Sequence, residues 1–199
     1  MRLHSRLARV WIAELLVAWL LVVPAAAQTR DLSASKVHID NFGRVSDTYY
    51  RGAQPTGRDY TDLAALGVKT LINLTSDDAD ASEEAMTERA GMKYVQIPMT
   101  THEPPTTAQL SQFLALVNDP ANQPVYVHCV GGRHRTGVMT AAYRMTKDGW
   151  TSERAFAEMK KYKFGADFLH PEFKAFVYDY RVPAQTAPVA VAAATKVGG

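Results

Sequence analysis

Apolar residues follow two different periodicities along the middle of the chain. The run at 68–74 is apolar and rich in β-branched residues, which is typical of a buried central strand. The stretch 106–118 instead places Leu110, Phe113 and Leu114 at helical spacing on one face. These patterns predict a chain in which strands and helices alternate.

Across the whole core, the same patterns predict five strands and six helices. The predicted strands cover residues 37–39, 47–51, 68–74, 93–97 and 124–128, and the predicted helices cover residues 57–66, 82–90, 106–118, 136–147, 152–162 and 171–180. This alternation predicts an α/β fold, a three-layer sandwich with a central, mostly parallel sheet flanked by helices. Ligands of such sheets bind at the carboxyl ends of the strands.

The two ends of the chain differ in composition from this core. Residues 1–27 combine three arginines, an apolar stretch and a Pro-Ala-Ala-Ala ending, which is typical of an export signal cleaved after Ala27. Residues 182–199 are low in complexity and nearly uncharged, which favours a flexible tail. We therefore predict a signal peptide at 1–27, a linker at 28–35, one domain at 36–181 and a tail at 182–199.

A cleaved leader implies an exported protein, either periplasmic or secreted, with no membrane span left in the mature chain. The alternative is an uncleaved leader that anchors the N-terminus in the membrane. Residues 1–27 carry three arginines and one glutamate, so their removal lowers the formal charge from +2 to zero. Because the mature chain is then not basic, we expect no nucleic-acid partner. We also expect a monomer.

One loop carries the candidate chemistry. Cys129, the single cysteine of the chain, lies between the predicted strand at 124–128 and the predicted helix at 136–147. Gly131 and Gly132 allow the backbone between them to curl around an anion, and a helix N-terminus offers unpaired N–H groups with partial positive charge. Such surroundings favour the thiolate, which is a strong nucleophile. The sequence therefore predicts an oxyanion site with a nucleophile at its base.

The residues beside Cys129 have matching chemistry. Arg135 offers a planar fork of donors that can bind two phosphate oxygens at once. The Thr136 hydroxyl could hydrogen-bond the sulfur, and His128 could set the environment of the thiol. We expect catalytic roles for these four residues, and we expect phosphate to be bound by Val130, Gly131, Gly132, Arg133, His134 and Arg135.

Two stretches of the chain resemble one protein family. The string His-Cys-Val-Gly-Gly-Arg-His-Arg-Thr at 128–136 resembles the His-Cys-x5-Arg-Ser/Thr signature of the cysteine-dependent protein-tyrosine phosphatase superfamily. Its ending at 132–137 is most similar to the atypical dual-specificity phosphatases of plants, fungi and bacteria. The segment 41–55 resembles the Asn-Phe-x-x-Val … Tyr-Arg-x-x-Gln-Pro opening of the same group. The resemblance covers residues 36–181 and implies a phosphatase domain with a dual-specificity phosphatase-like fold.

The resemblance implies hydrolysis of phosphate monoesters through a phosphocysteine. The implied partner is a phosphorylated protein, as for phosphotyrosine and dual-specificity phosphatases. A small phosphorylated molecule is the alternative: Arg133 and His134 add positive charge that suits inositol polyphosphates, inositol pyrophosphates or phospholipid head-groups. A catalytically weak phosphate-binding module is the alternative from another class. The six histidines are scattered along the chain with no metal-ligand spacing, so we expect no metal and no cofactor.

The acid that protonates the leaving group is the open question of the sequence. In this superfamily it is usually an aspartate on a loop between a strand and the next helix, but the corresponding loop at 98–106 contains no aspartate. Glu103 is the first candidate and His102 the second. A third group follows the strand at 68–74 and consists of Asp77, Asp78 and Asp80. The absence of any side-chain acid is the remaining alternative.

Overall fold

The computed structural model describes residues 36–76 and 79–182. The predicted signal peptide, the linker and the tail beyond Val182 therefore lie outside the described residues. Among the helices that are described, none has the length and apolar character needed to span a membrane.

The described residues form one five-stranded sheet in the order β1-β2-β5-β3-β4. The strands are β1 (Gly43–Ser46), β2 (Tyr49–Gly52), β3 (Thr70–Thr75), β4 (Lys93–Met99) and β5 (Val125–His128). Four strands are parallel, and only the edge strand β1 pairs antiparallel, with β2. The predicted α/β fold with a mostly parallel sheet is confirmed.

Helices cover both faces of this sheet. They are α1 (Asp59–Ala65), α2 (Glu83–Arg89), α3 (Thr107–Asn118), α4 (Arg135–Lys147), α5 (Ser152–Lys161) and α6 (Pro171–Asp179), and a 3₁₀ turn at Asp167–Leu169 precedes α6. Each of the six predicted helices is present, with ends that differ by at most two residues.

Two apolar cores lie on opposite faces of the sheet because side chains alternate along each strand. In β3, Leu71 packs into the core beneath α1 and α2, whereas Ile72 packs into the core that includes α3 to α6. In β5, Tyr126 and Val127 divide between the two cores in the same way. Burial on both faces explains why the sequence of β3 is an almost continuous apolar run.

The predicted strand at 37–39 is wrong. Val37 and Ile39 are buried in the core beneath α1, but their backbone pairs with no strand among the described residues. The edge position belongs instead to β1, whose sequence Gly-Arg-Val-Ser buries only Val45. Alternating apolar residues indicate that a segment is buried, but not that its backbone pairs with a neighbouring strand. The pattern therefore predicted a strand at the buried segment 37–39 and missed the short, mostly polar edge strand β1.

Candidate active site

Cys129 lies directly after β5, at the carboxyl end of the sheet, and only 3% of its surface is exposed. It contributes to a cavity of about 380 Å³ that is lined by Thr101, Cys129, Val130, Gly131, Arg133, His134 and Arg135. The structure thus brings together most of the residues predicted to bind phosphate. Gly132, which belongs to the same predicted set, is buried and does not line the cavity.

Three consecutive carbonyl groups of the loop after Cys129 are bound by one distant segment, residues 41–54. The bonds are Gln54 N to Val130 O (3.1 Å), Asn41 Nδ2 to Gly131 O (2.9 Å) and Arg51 Nη2 to Gly132 O (2.7 Å). One donor is a backbone amide, one an uncharged side chain and one a guanidinium. The loop is therefore held by partners of three different chemistries.

These bonds set the direction of the loop's N–H groups. In a trans peptide, the carbonyl of one residue and the N–H of the next point in opposite directions. Because the carbonyls of residues 130–132 face the segment 41–54, the N–H groups of residues 131–133 face the other way. Among the described residues, no backbone carbonyl accepts a hydrogen bond from these N–H groups. They are donors suited to the oxygens of an anion above Cys129.

Gly132 brings the loop into backbone contact with the end of β2. Its φ of 62° lies in the left-handed region that disfavours residues with a side chain. A Cβ atom at this position would lie 2.3 Å from the carbonyl carbon of Gly52. The loop and the segment 41–54 are therefore complementary at the level of the backbone, which explains why both stretches occur in one sequence.

Arg51 is a functional candidate that the sequence analysis did not identify. It is fully buried, its guanidinium lies 4.0 Å from the centre of the Tyr162 ring, and it donates to the loop. Burial lowers the pKa of Arg51, while neighbouring groups that include Cys129 act in the opposite direction. An arginine titrates so far above neutrality that it remains a cation here. Its charge therefore lies behind the loop, on the side away from the cavity.

His128 contacts α2 rather than the cavity. It is fully buried, and its Nε2 lies 3.0 Å from Oε1 of the equally buried Glu83. This is an ion-pair distance, although the two groups are not aligned as a hydrogen bond. The other carboxylate oxygen of Glu83 accepts from Asn73, whose own side-chain oxygen accepts from Thr75. Glu83 escaped the sequence analysis because an acidic first turn is also typical of a solvated helix start.

Arg135 and Thr136 begin α4. Arg135 is 2% exposed, and its Nη1 donates to the carbonyl of Met99 at the end of β4 (3.1 Å), which fixes one side of the guanidinium at the cavity. The Thr136 hydroxyl is buried and has no hydrogen-bond partner among the described residues. The predicted bond from this hydroxyl to the sulfur is not formed in the structure, so its role stays a prediction.

The loop at 98–106 passes the cavity but does not identify the acid. Thr101 lines the cavity, whereas Glu103 is exposed and accepts a hydrogen bond from the Thr100 hydroxyl (3.2 Å). His102 is exposed as well, and its ring stacks on His170 with 5.6 Å between the ring centres. Glu103 and His102 both stay predictions.

Only one member of the third group of acid candidates, Asp80, lies among the described residues. Asp77 and Asp78 lie outside the described residues. Asp80 accepts hydrogen bonds from the amide and the hydroxyl of Ser82, both at 2.8 Å, and these bonds lower the pKa of Asp80. A carboxyl with a lowered pKa is ionised at neutral pH and has no proton to donate. Asp80 therefore fits a turn at the start of α2 better than a catalytic acid.

A set of groups that could hold a metal lies beside the cavity. One ligand atom from each of His102, His170 and Glu172 lies within 4.8 Å of the other two. His134 packs on His170 with 3.8 Å between ring centres, and burial, followed by the charge of His170, lowers the pKa of His134. The sequence analysis missed this set because its members are up to 70 positions apart along the chain.

The chain is similar to known phosphatases in sequence. Residues 25–175 match the family described as "PTP-NADK: DSP-PTPase phosphatase fused to NAD+ Kinase". The dual specificity protein phosphatase TpbA of Pseudomonas aeruginosa is 32% identical over 142 residues, which cover 71% of this chain and 61% of TpbA. The inositol diphosphatase SIW14 of Saccharomyces cerevisiae is 27% identical over 130 residues, which cover 63% of this chain and 46% of SIW14. The chain thus spans less than two thirds of either relative.

Solved structures agree with this result. The crystal structure of P. aeruginosa TpbA has a TM-score of 0.61 and 28% sequence identity, and the match covers 71% of this chain and 86% of that one. The core catalytic domain of SIW14 has a TM-score of 0.62 at 24% identity, with 72% of this chain and 86% of that one covered. The second match concerns the fold alone.

Gly132→Ala should damage the loop, because the added Cβ meets the backbone of Gly52 and the left-handed φ is strained. We expect the free energy of unfolding to fall by at least about 2 kcal/mol and the affinity for orthovanadate to fall with it. Urea denaturation and inhibitor binding measure the two effects. Gly131→Ala is the matched control, since its Cβ would lie 3.4 Å from the flexible Arg133 side chain. Equal behaviour of the two variants would contradict the backbone contact.

Proposed function

Because this chain belongs to the dual-specificity phosphatases of the cysteine-dependent protein-tyrosine phosphatase superfamily, we propose that it hydrolyses phosphate monoesters through a phosphocysteine on Cys129. One observation carries the proposal. Cys129 lies at a cavity that Gly131, Arg133 and Arg135 also line, and the N–H groups of residues 131–133 are turned away from three bound carbonyls. This arrangement combines a nucleophile with donors for the oxygens of a phosphate.

The reaction proceeds in two displacements at phosphorus. The Cys129 sulfur attacks phosphorus, a sulfur–phosphorus bond forms, and the bond from phosphorus to the leaving oxygen breaks. The leaving oxygen takes up a proton from the acid. The N–H groups of the loop and the fork of Arg135 bind the remaining phosphate oxygens as negative charge develops. Water then attacks phosphorus as the sulfur–phosphorus bond breaks, and the water gives up a proton to the group that protonated the leaving oxygen. Inorganic phosphate is released and Cys129 returns to its starting state.

For the substrate, we propose a phosphotyrosine-bearing or dual-specificity protein target. Its support is the 32% identity to TpbA, which is named a dual specificity protein phosphatase. Inositol pyrophosphates are the second candidate, because SIW14 is named an inositol diphosphatase. The exposed Arg133 at the cavity wall supports this alternative, since it supplies a positive charge beyond what one phosphate group needs.

We also propose that residues 1–27 are an export signal, which makes the mature protein periplasmic or secreted. The support is the order of arginines, apolar stretch and small residues in the sequence. N-terminal sequencing of protein recovered from the exported fraction should find a chain that begins near Gln28. An intact leader on protein from the cytoplasm would contradict this proposal, and an intact leader on membrane-bound protein would favour the anchored alternative.

Cys129→Ser should abolish steady-state turnover of para-nitrophenyl phosphate, because a serine hydroxyl in this position is a far weaker nucleophile. The affinity for inorganic phosphate should survive, since the donors of the loop and Arg135 remain. Turnover and calorimetric binding measure the two properties on the same preparation. A serine variant that retained a tenth of the parent rate would rule out the phosphocysteine, and a variant that lost phosphate affinity as well would leave the loop without its proposed role.

Glu103→Gln tests the first acid candidate. If Glu103 protonates the leaving oxygen, hydrolysis of alkyl phosphates should slow by about 10²- to 10⁴-fold. Para-nitrophenyl phosphate should be affected less, because its leaving group is a weak base. The alkaline limb of the pH–rate profile should also disappear. Glu88→Gln, an exposed glutamate on α2, is the control. Alkyl-phosphate rates within about threefold of the parent would shift the role to His102, tested next as His102→Gln.

A further inference from the structure

Half of the histidines in this chain meet at one side of the cavity. The chain has six histidines. His102 comes from the loop at 98–106, His134 from the loop after Cys129, and His170 from the residue that precedes α6. The ring of His170 lies between the other two, 5.6 Å from His102 and 3.8 Å from His134, measured between ring centres. The two-step reaction described above uses neither His170 nor the neighbouring Glu172.

We propose that His102, His170 and Glu172 form a binding site for a divalent transition-metal ion such as Zn²⁺. His170 Nδ1 and Glu172 Oε1 are 3.3 Å apart. Two ligand atoms that are each about 2.1 Å from a tetrahedral zinc ion lie about 3.4 Å apart, so this pair already has the required separation. One ring nitrogen of His102 lies within 4.8 Å of a ligand atom of His170 and of a ligand atom of Glu172, and the exposed side chain of His102 can approach without any rearrangement of the core.

The donor set selects the class of metal. Two imidazole nitrogens and one carboxylate oxygen suit zinc and its neighbours in the first transition series, whereas magnesium and calcium favour oxygen ligands. Three protein ligands leave a fourth position for water. His170 is also held in place before any metal binds, because its ring is largely buried and stacks on Phe173 with 5.8 Å between ring centres. A fixed ligand loses less freedom on binding than a solvated one.

Occupancy of this site would connect the loop at 98–106 to the start of α6. The same loop carries Thr101, which lines the cavity, and both acid candidates, Glu103 and His102. When His102 coordinates the metal it cannot act as the acid, and the adjacent residues Thr101 and Glu103 are held toward α6. The metal is therefore inferred to inhibit turnover from beside the cavity; this consequence, unlike binding itself, rests on the proposed phosphatase function.

Binding is tested on the full chain carrying Cys129→Ser, so that the thiol cannot act as a metal ligand. Calorimetric titration with Zn²⁺ should give one site per chain, and Co²⁺ should give the visible absorption of a site with low coordination number. Adding Glu172→Gln or His102→Ala should each weaken zinc binding by more than about tenfold. Adding Glu88→Gln, which removes a carboxylate far along the chain, should not. Unchanged zinc affinity in the Glu172→Gln and His102→Ala variants would overturn the site.

The effect on activity is tested separately with Cys129 intact. Zn²⁺ should inhibit the hydrolysis of para-nitrophenyl phosphate, and Glu172→Gln should raise the inhibitory concentration by more than about tenfold while leaving the metal-free rate unchanged. Equal inhibition of the parent and Glu172→Gln would overturn the inhibitory role. A chain that binds Zn²⁺ as described yet turns over no phosphate ester would refute the phosphatase proposal and leave the metal site standing.

Discussion

The binding of three consecutive loop carbonyls by the segment 41–54 is the constraint on which the site depends. Peptide planarity converts that constraint into a direction, because each carbonyl held outward turns the next N–H toward the cavity. Two of the donors, Asn41 and Arg51, lie 90 and 81 positions from their acceptors. The sheet makes this reach possible: β2 pairs in parallel with β5, and Gly52 lies opposite His128. The anion site is thus a consequence of strand order as much as of the loop itself.

The same region concentrates buried ionisable side chains. Arg51, Glu83 and Arg135 are almost entirely removed from water, which is unfavourable for an ionisable group that lacks close partners. Each has partners that offset this in part: Arg51 has a carbonyl and an aromatic face, Glu83 has His128 and Asn73, and Arg135 has the Met99 carbonyl. The two arginines, Arg51 and Arg135, flank the loop after Cys129 on opposite sides. The fold therefore accepts an unfavourable burial where the proposed chemistry needs positive charge.

Short-range sequence patterns predicted those elements that interactions between neighbouring residues determine. The apolar run at 68–74 predicted β3 because both faces of that strand are buried. The string at 128–136 predicted the loop because its cysteine, two glycines and two arginines lie within nine consecutive positions. The prediction of a strand at 37–39 was wrong because this segment is buried without pairing with a strand among the described residues. The roles of Arg51 and Glu83, and the meeting of His102 with His170, were not predictable, because contacts between residues so far apart leave no periodicity or spacing to recognise. The acid stays open because its loop lacks the usual aspartate.

The central claim is that the bound carbonyls turn the N–H groups of residues 131–133 toward the anion. Amide proton shifts during an orthovanadate titration test it most directly. In the parent chain these three amides should shift downfield together as the anion binds. In Arg51→Met the Gly132 carbonyl loses its donor, so the shift at Arg133 should be lost and the affinity should fall by at least about tenfold. Arg44→Met, on the same segment but at the surface, is the control. Parent-like affinity and amide shifts in Arg51→Met would contradict the account.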